Sequence, residues 1–316
     1  MKPQNLKNII LRQQIISAIR HFFVQKKFQE IDLPVLKYSL PLEQNIYSLE
    51  TSCKQIQDKL YLSTSPESGL KKIISQRPGN YFSISPSFRN LEAKGPTHQP
   101  EFLMLEWYQT NSNYLRTMKI VQNLIFNIAQ GLDNIKYNRT NNILTYQNFN
   151  FDLSLPWPKI SIKQLFLDHA DIDLDLFLTS SKFSENNFNQ IFLNDIEPHL
   201  STSRPTFITD YPASLSPLAQ KKSNPLYSKR FELYFGPLEI ANGNTENNSM
   251  DEITSASLLE EKYRRLHQLP TPPIDYDFIK ASSKMSHVAG CGLGIDRLTM
   301  LLTDSAHINS VRPFSL

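Results

Sequence analysis

The sequence predicts an α+β fold in which helices pack against an antiparallel sheet. Two observations lead to this class. Short segments alternate apolar and polar residues with the period of a strand, clearest at residues 81–89 and 101–108. Longer segments between them carry apolar residues at helical spacing. Short strands flanked by long helices are typical of an α+β layout.

The first elements follow from the spacing of apolar residues. Residues 9–25 predict a helix, because Ile9, Ile16 and Phe23 fall on one face of a 3.6-residue period. Residues 28–33 then alternate like a strand that ends at Pro34.

The central elements are two strands and a helix. In residues 81–89 Phe82, Ile84 and Phe88 point to one face, while Pro86 argues against a fully paired central strand. Residues 101–108 repeat the alternation, and a helix is predicted from about Tyr114 to Gly131.

The second half changes in composition. Residues 133–200 contain no glycine and are rich in Asn, Asp and Phe. They predict a polar loop, a short hairpin and a small helical insertion at about 160–200. The later elements predicted are short strands at 207–209, 231–235 and 238–240, followed by an exposed helix at 251–267.

The bulk composition excludes several classes of protein. A chain of 316 residues forms one domain with an insertion, or two, and its net charge of +3 is too mild to indicate a nucleic-acid binder. It contains no membrane-length apolar run and no signal-peptide core, so we expect no membrane partner. Cys53 and Cys291 lack metal-site spacing and favour a reducing, cytoplasmic location.

Glycines are concentrated near the end of the chain. Of nine in total, three lie at alternate positions, Gly290, Gly292 and Gly294, and Arg297 follows at the start of an apolar helix. Backbone without side chains beside a fixed cation suits a nucleotide base or phosphate. The alternative is a tight strand-to-helix turn.

Carboxylates form a second cluster. Glu232 and Glu239 flank Gly236-Pro237, a turn signal that would fold the two strands into a hairpin with both acids facing one pocket. Together with Glu246 they would suit Mg²⁺ bound with substrate phosphates, or an ammonium group. The alternative is ordinary solvated strand glutamates.

A third cluster surrounds Arg89, which ends a polar strand face before a loop that contains Glu92 and His98, with Glu106 on the next strand. Its guanidinium could clamp a phosphate, or simply form a surface ion pair.

Upstream, Ser63-Thr64-Ser65-Pro66-Glu67 predicts a serine-capped helix start. Such a cap does not exclude a pocket role for Glu67.

Taken together, these clusters resemble the class II aminoacyl-tRNA synthetases of the lysyl type, from about residue 8 to 314 and in the same order. The matching segments are Pro34, Phe88-Arg89-Asn90, residues 98–108, Thr206-Phe207-Ile208-Thr209-Asp210-Tyr211-Pro212, Ser216-Pro217-Leu218-Ala219, Arg230-Phe231-Glu232, Glu239-Ile240-Ala241-Asn242-Gly243 and Gly292-Leu293-Gly294-Ile295-Asp296-Arg297-Leu298.

The resemblance implies a site for ATP, Mg²⁺ and lysine. Arg89 and Arg297 would be the catalytic residues. The implied ATP-binding residues are Arg89, Glu92, His98, Phe102, Glu232, Glu239, Gly294 and Arg297, and Glu232 and Glu239 would also hold Mg²⁺. The implied lysine-binding residues are Ser65, Glu67, Glu106, Tyr108, Asn242, Glu246 and Gly292.

Several positions depart from the family pattern. Leu91 displaces the usual acid in a lengthened loop, which leaves open whether Glu92 takes its role, and Gln99 replaces a common Asn. Asn244-Thr245 replaces a pair that usually contains an aromatic residue. Gly292 stands where the stand-alone paralogue often has Ala, so the choice between α-lysine and β-lysine stays open.

The resemblance also implies partners. Residues 1–316 would be a single catalytic domain without the anticodon-binding barrel of lysyl-tRNA synthetases, which resembles the stand-alone paralogue that lysylates elongation factor P. The expected acceptor is therefore elongation factor P and not tRNA, and the expected assembly is a homodimer with residues 9–36 at the interface. The alternatives are a tRNA or free-amine acceptor, or a non-catalytic protein that binds lysine or ATP.

Overall fold

The computed structural model of the chain describes residues 3–91 and 95–313. Its strands are β1 Gln29–Glu30, β2 Leu36–Lys37, β3 Glu50–Cys53, β4 Ile56–Leu62, β5 Asn80–Phe88, β6 Glu101–Thr110, β7 Tyr137–Asn138, β8 Ile143–Tyr146, β9 Phe149–Asp152, β10 Lys159–Ser161, β11 Thr206–Thr209, β12 Arg230–Phe235, β13 Leu238–Thr245 and β14 Val288–Gly294.

The helices lie between and after these strands. They are α1 Pro3–Gln25, α2 Glu67–Gln76, α3 Tyr114–Gly131, α4 Ile162–Ala170, α5 Leu174–Thr179, α6 Glu185–Ile191, α7 Met250–Leu266, α8 Tyr276–Ser283 and α9 Ile295–Thr303, with a π-helical turn at Phe192–Ile196 and 3₁₀ turns at Glu197–His199, Ala213–Leu215 and Ile308–Ser310.

An eight-stranded sheet organises the described residues, in the order β1-β5-β6-β14-β13-β12-β11-β10. The α+β class is confirmed. The sheet is mixed and not purely antiparallel, because the pairs at its two edges, β1 with β5 and β10 with β11, run parallel. The inner pairs are antiparallel.

Strand β5 shows how Pro86 is tolerated. Residues Asn80 to Phe88 pair with β6 along their whole length, and Pro86 lies opposite Leu103. On its other side β5 pairs with β1 only at residues 81 and 82, since β1 is shorter than the predicted strand. Pro86 therefore lies where β5 has no second neighbour that would need its missing N–H donor.

Helix α1 packs on the sheet and on the end of the chain. Its Phe23 stacks on Phe82 of β5, with ring centroids 5.0 Å apart. Near its start Arg12 Nε donates to Asp296 Oδ1 of α9 at 2.7 Å. The other oxygen of Asp296 accepts from the backbone N–H of Leu103 at 2.8 Å. The first helix thus fixes the helix that contains Arg297.

Residues 133–200 contain a small sheet, β7-β8-β9, and then helices α4 to α6. Phe166 and Phe188 of these helices pack with Ile208 and Tyr234 of the main sheet in a separate apolar cluster. The division of the chain into one domain with an insertion stays a prediction.

The prediction of an exposed helix near residues 251–267 is wrong for one face of α7. Ile253, Glu260 and Arg264 are buried there. The Arg264 side chain is only 1% exposed because its guanidinium is paired with Glu260 at 2.6 Å.

Among the helices of the described chain, none combines the length and the apolar character required to cross a bilayer.

Candidate active site

A cavity of about 1040 Å³ opens on one side of the main sheet. It is lined by most of the residues predicted for the site: Ser65, Glu67, Arg89, His98, Glu106, Tyr108, Glu232, Glu239, Asn242, Gly292 and Arg297. Residues from three separate regions of the sequence therefore meet in one cavity.

Three predicted residues stand behind the cavity wall. The ring of Phe102 supports the Arg89 guanidinium, 5.0 Å from the ring centroid. Gly294 precedes the first turn of α9 and so places Arg297. Glu246 is 4% exposed and lies beneath the wall. Glu92 lies outside the described residues.

The cavity has an arginine end. Arg297 sits in the first turn of α9 and donates through Nη1 to the carbonyl of Glu239 at 3.0 Å. Its Nη2 lies 2.8 Å from His98 Nε2. These contacts hold the planar guanidinium in one orientation at the cavity wall, as recognition of a phosphate requires.

The predicted hairpin brings the two strand carboxylates to this cavity. Strands β12 and β13 meet at Gly236, whose φ of 58° lies in the left-handed region that glycine tolerates. Glu232 pairs with Asn242 across the ladder, so both side chains face the cavity. Asn242 Nδ2 in turn donates to Glu239 Oε1 at 3.3 Å.

The Glu232 carboxylate is engaged by three donors. Arg230 donates to one oxygen at 2.7 Å. The hydroxyls of Tyr211 and Tyr234 donate to the other at 2.7 and 2.9 Å. Burial raises the pKa of Glu232, and the charge of Arg230 opposes that shift.

Glu232 and Glu239 are suited to bind Mg²⁺ in the way seen in enzymes that act on phosphate-containing substrates. No cluster of three metal-binding side chains exists among the residues described. Mg²⁺ in such sites is bound by one or two carboxylates together with substrate phosphates, so a full protein cage is not needed. Glu239 lines the cavity with 32% of its side chain exposed, and two of its acceptor positions are filled, by Asn242 and Arg297. It is the more available ligand, because three of about four acceptor positions on Glu232 are filled.

The opposite end of the cavity is acidic. Tyr108 donates its hydroxyl to Glu106 Oε1 at 2.7 Å. Oε2 of Glu106 is buried and has no hydrogen-bond partner within residues 3–91 and 95–313. Burial, reinforced by Glu67, raises the pKa of Glu106 well above its usual range. A buried acceptor of this kind calls for a donor from a ligand.

Sequence reasoning missed Lys71, which joins two of the predicted lysine-binding carboxylates. Its Nζ lies 2.5 Å from Glu67 Oε1 and 2.5 Å from Glu246 Oε2. Burial lowers the pKa of Lys71, but the two carboxylates outweigh burial and leave that pKa above its usual value. The i,i+4 spacing of Glu67 and Lys71 on one helix was the available signal.

Sequence reasoning also missed Glu43, Arg230 and Tyr211, all of which line the cavity. Arg230 alternates with Glu232 on one strand, which was a usable signal. Glu43 lies on an irregular loop, so no periodic pattern of residues around it indicated that it faces the site.

The glycine strand has two distinct reasons for its composition. A Cβ at Gly290 would lie 2.2 Å from the Tyr108 ring, so this glycine makes room for a side chain of the site. A Cβ at Gly292 would meet only Met104, at an ordinary 3.7 Å, and Gly292 lines the cavity. Gly292 therefore presents backbone without a side chain to the cavity, and its close approach to a ligand stays a prediction.

The helix after Ser65 begins differently from the prediction. The position before its first residue is Pro66, and no side chain caps the helix. Ser65 Oγ accepts instead from the backbone N–H of Glu67 at 3.1 Å. This bond fixes the backbone at Glu67, whose side chain lines the cavity.

Known proteins resemble the chain over its whole length. Residues 1–316 match the family described as tRNA synthetases class II (D, K and N). The chain is 32% identical to the elongation factor P--(R)-beta-lysine ligase of Buchnera aphidicola subsp. Acyrthosiphon pisum (strain APS), over 98% of this chain and 95% of that relative.

Two further relatives show the same range of similarity. The elongation factor P--(R)-beta-lysine ligase of Baumannia cicadellinicola subsp. Homalodisca coagulata is 32% identical over 100% of this chain and 97% of its own. The lysine--tRNA ligase of Chromohalobacter salexigens is 30% identical over 99% of this chain and 64% of its own. The predicted resemblance is confirmed, and the chain belongs to the class II tRNA synthetases of the D, K and N group.

Proposed function

We propose that this protein is a ligase that activates lysine or β-lysine with ATP as an adenylate and transfers the lysyl group to a lysine of elongation factor P. One observation carries the proposal: a single cavity has arginines at one end and carboxylates at the other. Such a cavity complements a substrate that brings phosphates and ammonium groups together.

The arginine end would hold ATP. Arg89 and Arg297 would bind its phosphates, with His98 and Phe102 supporting their guanidinium groups. A carboxylate oxygen of lysine attacks the α-phosphorus, the bond to the β-phosphate breaks, and pyrophosphate leaves. The two arginines stabilise the negative charge that moves onto the departing phosphates.

Magnesium would be held by Glu239 and, through its remaining acceptor position, by Glu232. When bound with ATP, the ion neutralises phosphate charge. Arg230, Tyr211 and Tyr234 keep the Glu232 carboxylate in place for this role.

The acidic end would select lysine by its amines. Glu106 offers a buried oxygen that receives no hydrogen bond from the described part of the chain. Glu67 and Glu246 supply further negative charge around Lys71. Lys71 neutralises part of this charge, and a neutral side chain such as that of leucine or glutamine would leave the rest of it unpaired, which carries a strong penalty.

Elongation factor P is favoured as acceptor because the relatives that bear its name align over nearly all of both chains. Lysine--tRNA ligases at comparable identity support tRNA as the second candidate. The first step is the same for both acceptors.

A homodimer in the cytoplasm completes the proposal. The exposed Ile10 and Val24 of α1, with Leu36, lie in the segment 9–36 assigned to the interface and offer apolar surface for it. Cys53 and Cys291 are free thiols, as a reducing compartment would maintain them. Light scattering that finds only an active monomer would contradict the dimer.

The test of the function has two stages. Pyrophosphate exchange with lysine, β-lysine, leucine and glutamine measures activation, and we expect it with the two lysine isomers only. Absence of exchange with every amino acid would indicate the non-catalytic alternative. Labelled lysine with ATP and either elongation factor P or lysine tRNA then identifies the acceptor. Mass spectrometry should show one lysyl mass added to a single lysine of elongation factor P.

A further inference from the structure

The loop at residues 43–47 forms part of the cavity wall and is anchored from outside the cavity. Arg264 of α7 donates through Nη2 to the carbonyls of Glu43 at 2.5 Å and Ile46 at 2.9 Å. Its guanidinium packs over the ring of Tyr47, 4.8 Å from the centroid. These contacts use the loop's backbone and the Tyr47 ring, and they leave the Glu43 side chain free to face the cavity.

Two further contacts fix the loop to its other neighbours. Asn45 Nδ2 donates to Glu185 Oε1 of α6 at 2.5 Å. The backbone N–H of Asn90, next to Arg89, donates to the carbonyl of Tyr47 at 2.7 Å. Since the loop is held from three sides, the position of Glu43 is set before any substrate binds.

The Glu43 carboxylate lines the cavity and is half-buried. It makes no hydrogen bond or ion pair with any other residue that the structure describes. The charged groups near it belong to both ends of the cavity and are Glu67, Glu106, Arg89, Lys71 and Arg230. Glu43 is therefore near charged groups of both the acidic end and the arginine end. In the function proposed above, the carbonyl of a lysyl-adenylate joins the lysine held at one end to the phosphate held at the other, so it would lie between them.

Building on the function proposed above, we propose that Glu43 is a catalytic residue, the general base that deprotonates the acceptor's ammonium group in the transfer step. The carboxylate takes one proton from the ammonium. The amine nitrogen then attacks the adenylate carbonyl, the C–N bond forms, and the bond from the carbonyl carbon to the phosphate oxygen breaks. AMP leaves with that electron pair, and the second N–H proton passes to the leaving phosphate or to water.

The exposure of Glu43 indicates that it acts on the acceptor amine and does not bind the amines of the substrate lysine. Glu106 is 6% exposed where it lines the cavity, and Glu246, 4% exposed, lies beneath the wall. Glu43 is more open and can meet an amine that enters from solvent. Burial and the nearby Glu67 raise the pKa of Glu43 to about 7, close to the value that suits a general base in neutral solution.

The test is Glu43→Gln, which keeps the size of the side chain and removes its basicity. Lysyl-adenylate is preformed on the enzyme, and single-turnover transfer is then followed with elongation factor P or with hydroxylamine. We expect transfer to elongation factor P to fall on the order of 10²-fold. Transfer to hydroxylamine, which is already neutral at pH 7, should fall far less than transfer to elongation factor P. The exposed Glu50→Gln is the matched control for loss of a surface carboxylate.

Comparison of the two acceptors distinguishes a general base from a structural role, because a distorted loop would slow transfer to both acceptors. Wild-type transfer rates to elongation factor P in the variant would overturn the assignment. A raised KM for lysine in pyrophosphate exchange would overturn it too, since Glu43 would then bind the substrate amine. If the wild-type protein fails to exchange pyrophosphate at all, the proposed function itself fails and this inference fails with it.

Discussion

The ammonium of Lys71 lies 2.5 Å from Oε2 of Glu246, and both side chains are 1% exposed. Glu67 holds the same ammonium from the other side. A buried carboxylate without a partner is costly, so Lys71 stabilises two acids that would otherwise repel each other in the free protein. The acidic end of the cavity is therefore partly neutralised before any substrate arrives.

Removing Lys71 should destabilise the protein. Lys71→Met leaves Glu67 and Glu246 buried without their cation, and such a loss costs roughly 3–5 kcal/mol. Thermal unfolding measures the effect. In the double variant with Glu246→Gln we expect much of the lost stability to return. A single variant as stable as the wild type would show that the bridge contributes nothing.

Replacing Arg297 or Arg89 should suppress activation. Arg297→Ala and Arg89→Ala each remove a cation that stabilises developing phosphate charge, so pyrophosphate exchange should fall on the order of 10²-fold or more. Arg265→Ala, whose side chain is 68% exposed on α7, is the matched control and should not change the rate. Normal exchange in both cavity variants would refute the phosphate-binding role.

Lysine binding should release protons near neutral pH. Burial raises the pKa of Glu246 to about 7 even though Lys71 opposes it, and the pKa of Glu106 is raised as well. An incoming ammonium lowers both pKa values, because it favours the charged carboxylates. Affinity for lysine should therefore increase from pH 6 to 8. For each carboxyl group, the increase can reach about tenfold per pH unit at pH values below the pKa of that group.

Isothermal titration calorimetry in phosphate and in Tris buffer at pH 6.5 measures this proton release. The apparent enthalpies should differ between the two buffers at pH 6.5 and should converge above pH 8. An affinity that stays constant from pH 6 to 8 would contradict the coupling.

Adding a methyl group at Gly292 should change the preference between lysine isomers without unfolding the protein. Its Cβ would make only an ordinary 3.7 Å contact with Met104. One methyl in a pocket changes discrimination by about 1–3 kcal/mol, so the ratio of α-lysine to β-lysine activation should shift about tenfold or more. Gly290→Ala is the contrasting variant and should destabilise the fold, because its Cβ would lie 2.2 Å from the Tyr108 ring.

Periodicity was sufficient to predict the elements that carry the site. The helix Tyr114–Gly131 has the bounds that the pattern predicts, and the strand Thr206–Thr209 begins one residue before the predicted start at Phe207. Pairing at the sheet edges was not predictable, because the parallel contacts of β1 and β10 involve only two or three residues each. Strands this short show too little alternation of apolar and polar residues for their pairing to be predicted.

Residues that line the cavity were predicted where chemistry coincides with a regular element, and their roles in the site stay predictions. Glu232 and Glu239 were located through their hairpin, and Arg297 through the glycine strand. Lys71 and Glu43 were missed because their importance depends on partners distant in sequence. Glu43 is near Glu67 and Arg89 only after the loop at 43–47 is fixed by Arg264, a contact 221 residues away.

The bond between Arg12 and Asp296 joins positions 284 residues apart. During synthesis helix α1 leaves the ribosome well before its partner α9, which lies more than 250 residues later in the chain. Until then the apolar face of α1 is without this part of its packing surface, and Arg297 has no support from Asp296. Assembly of the arginine end is therefore a late event in folding, and a nascent or truncated chain that lacks α9 would expose α1 to other hydrophobic surfaces.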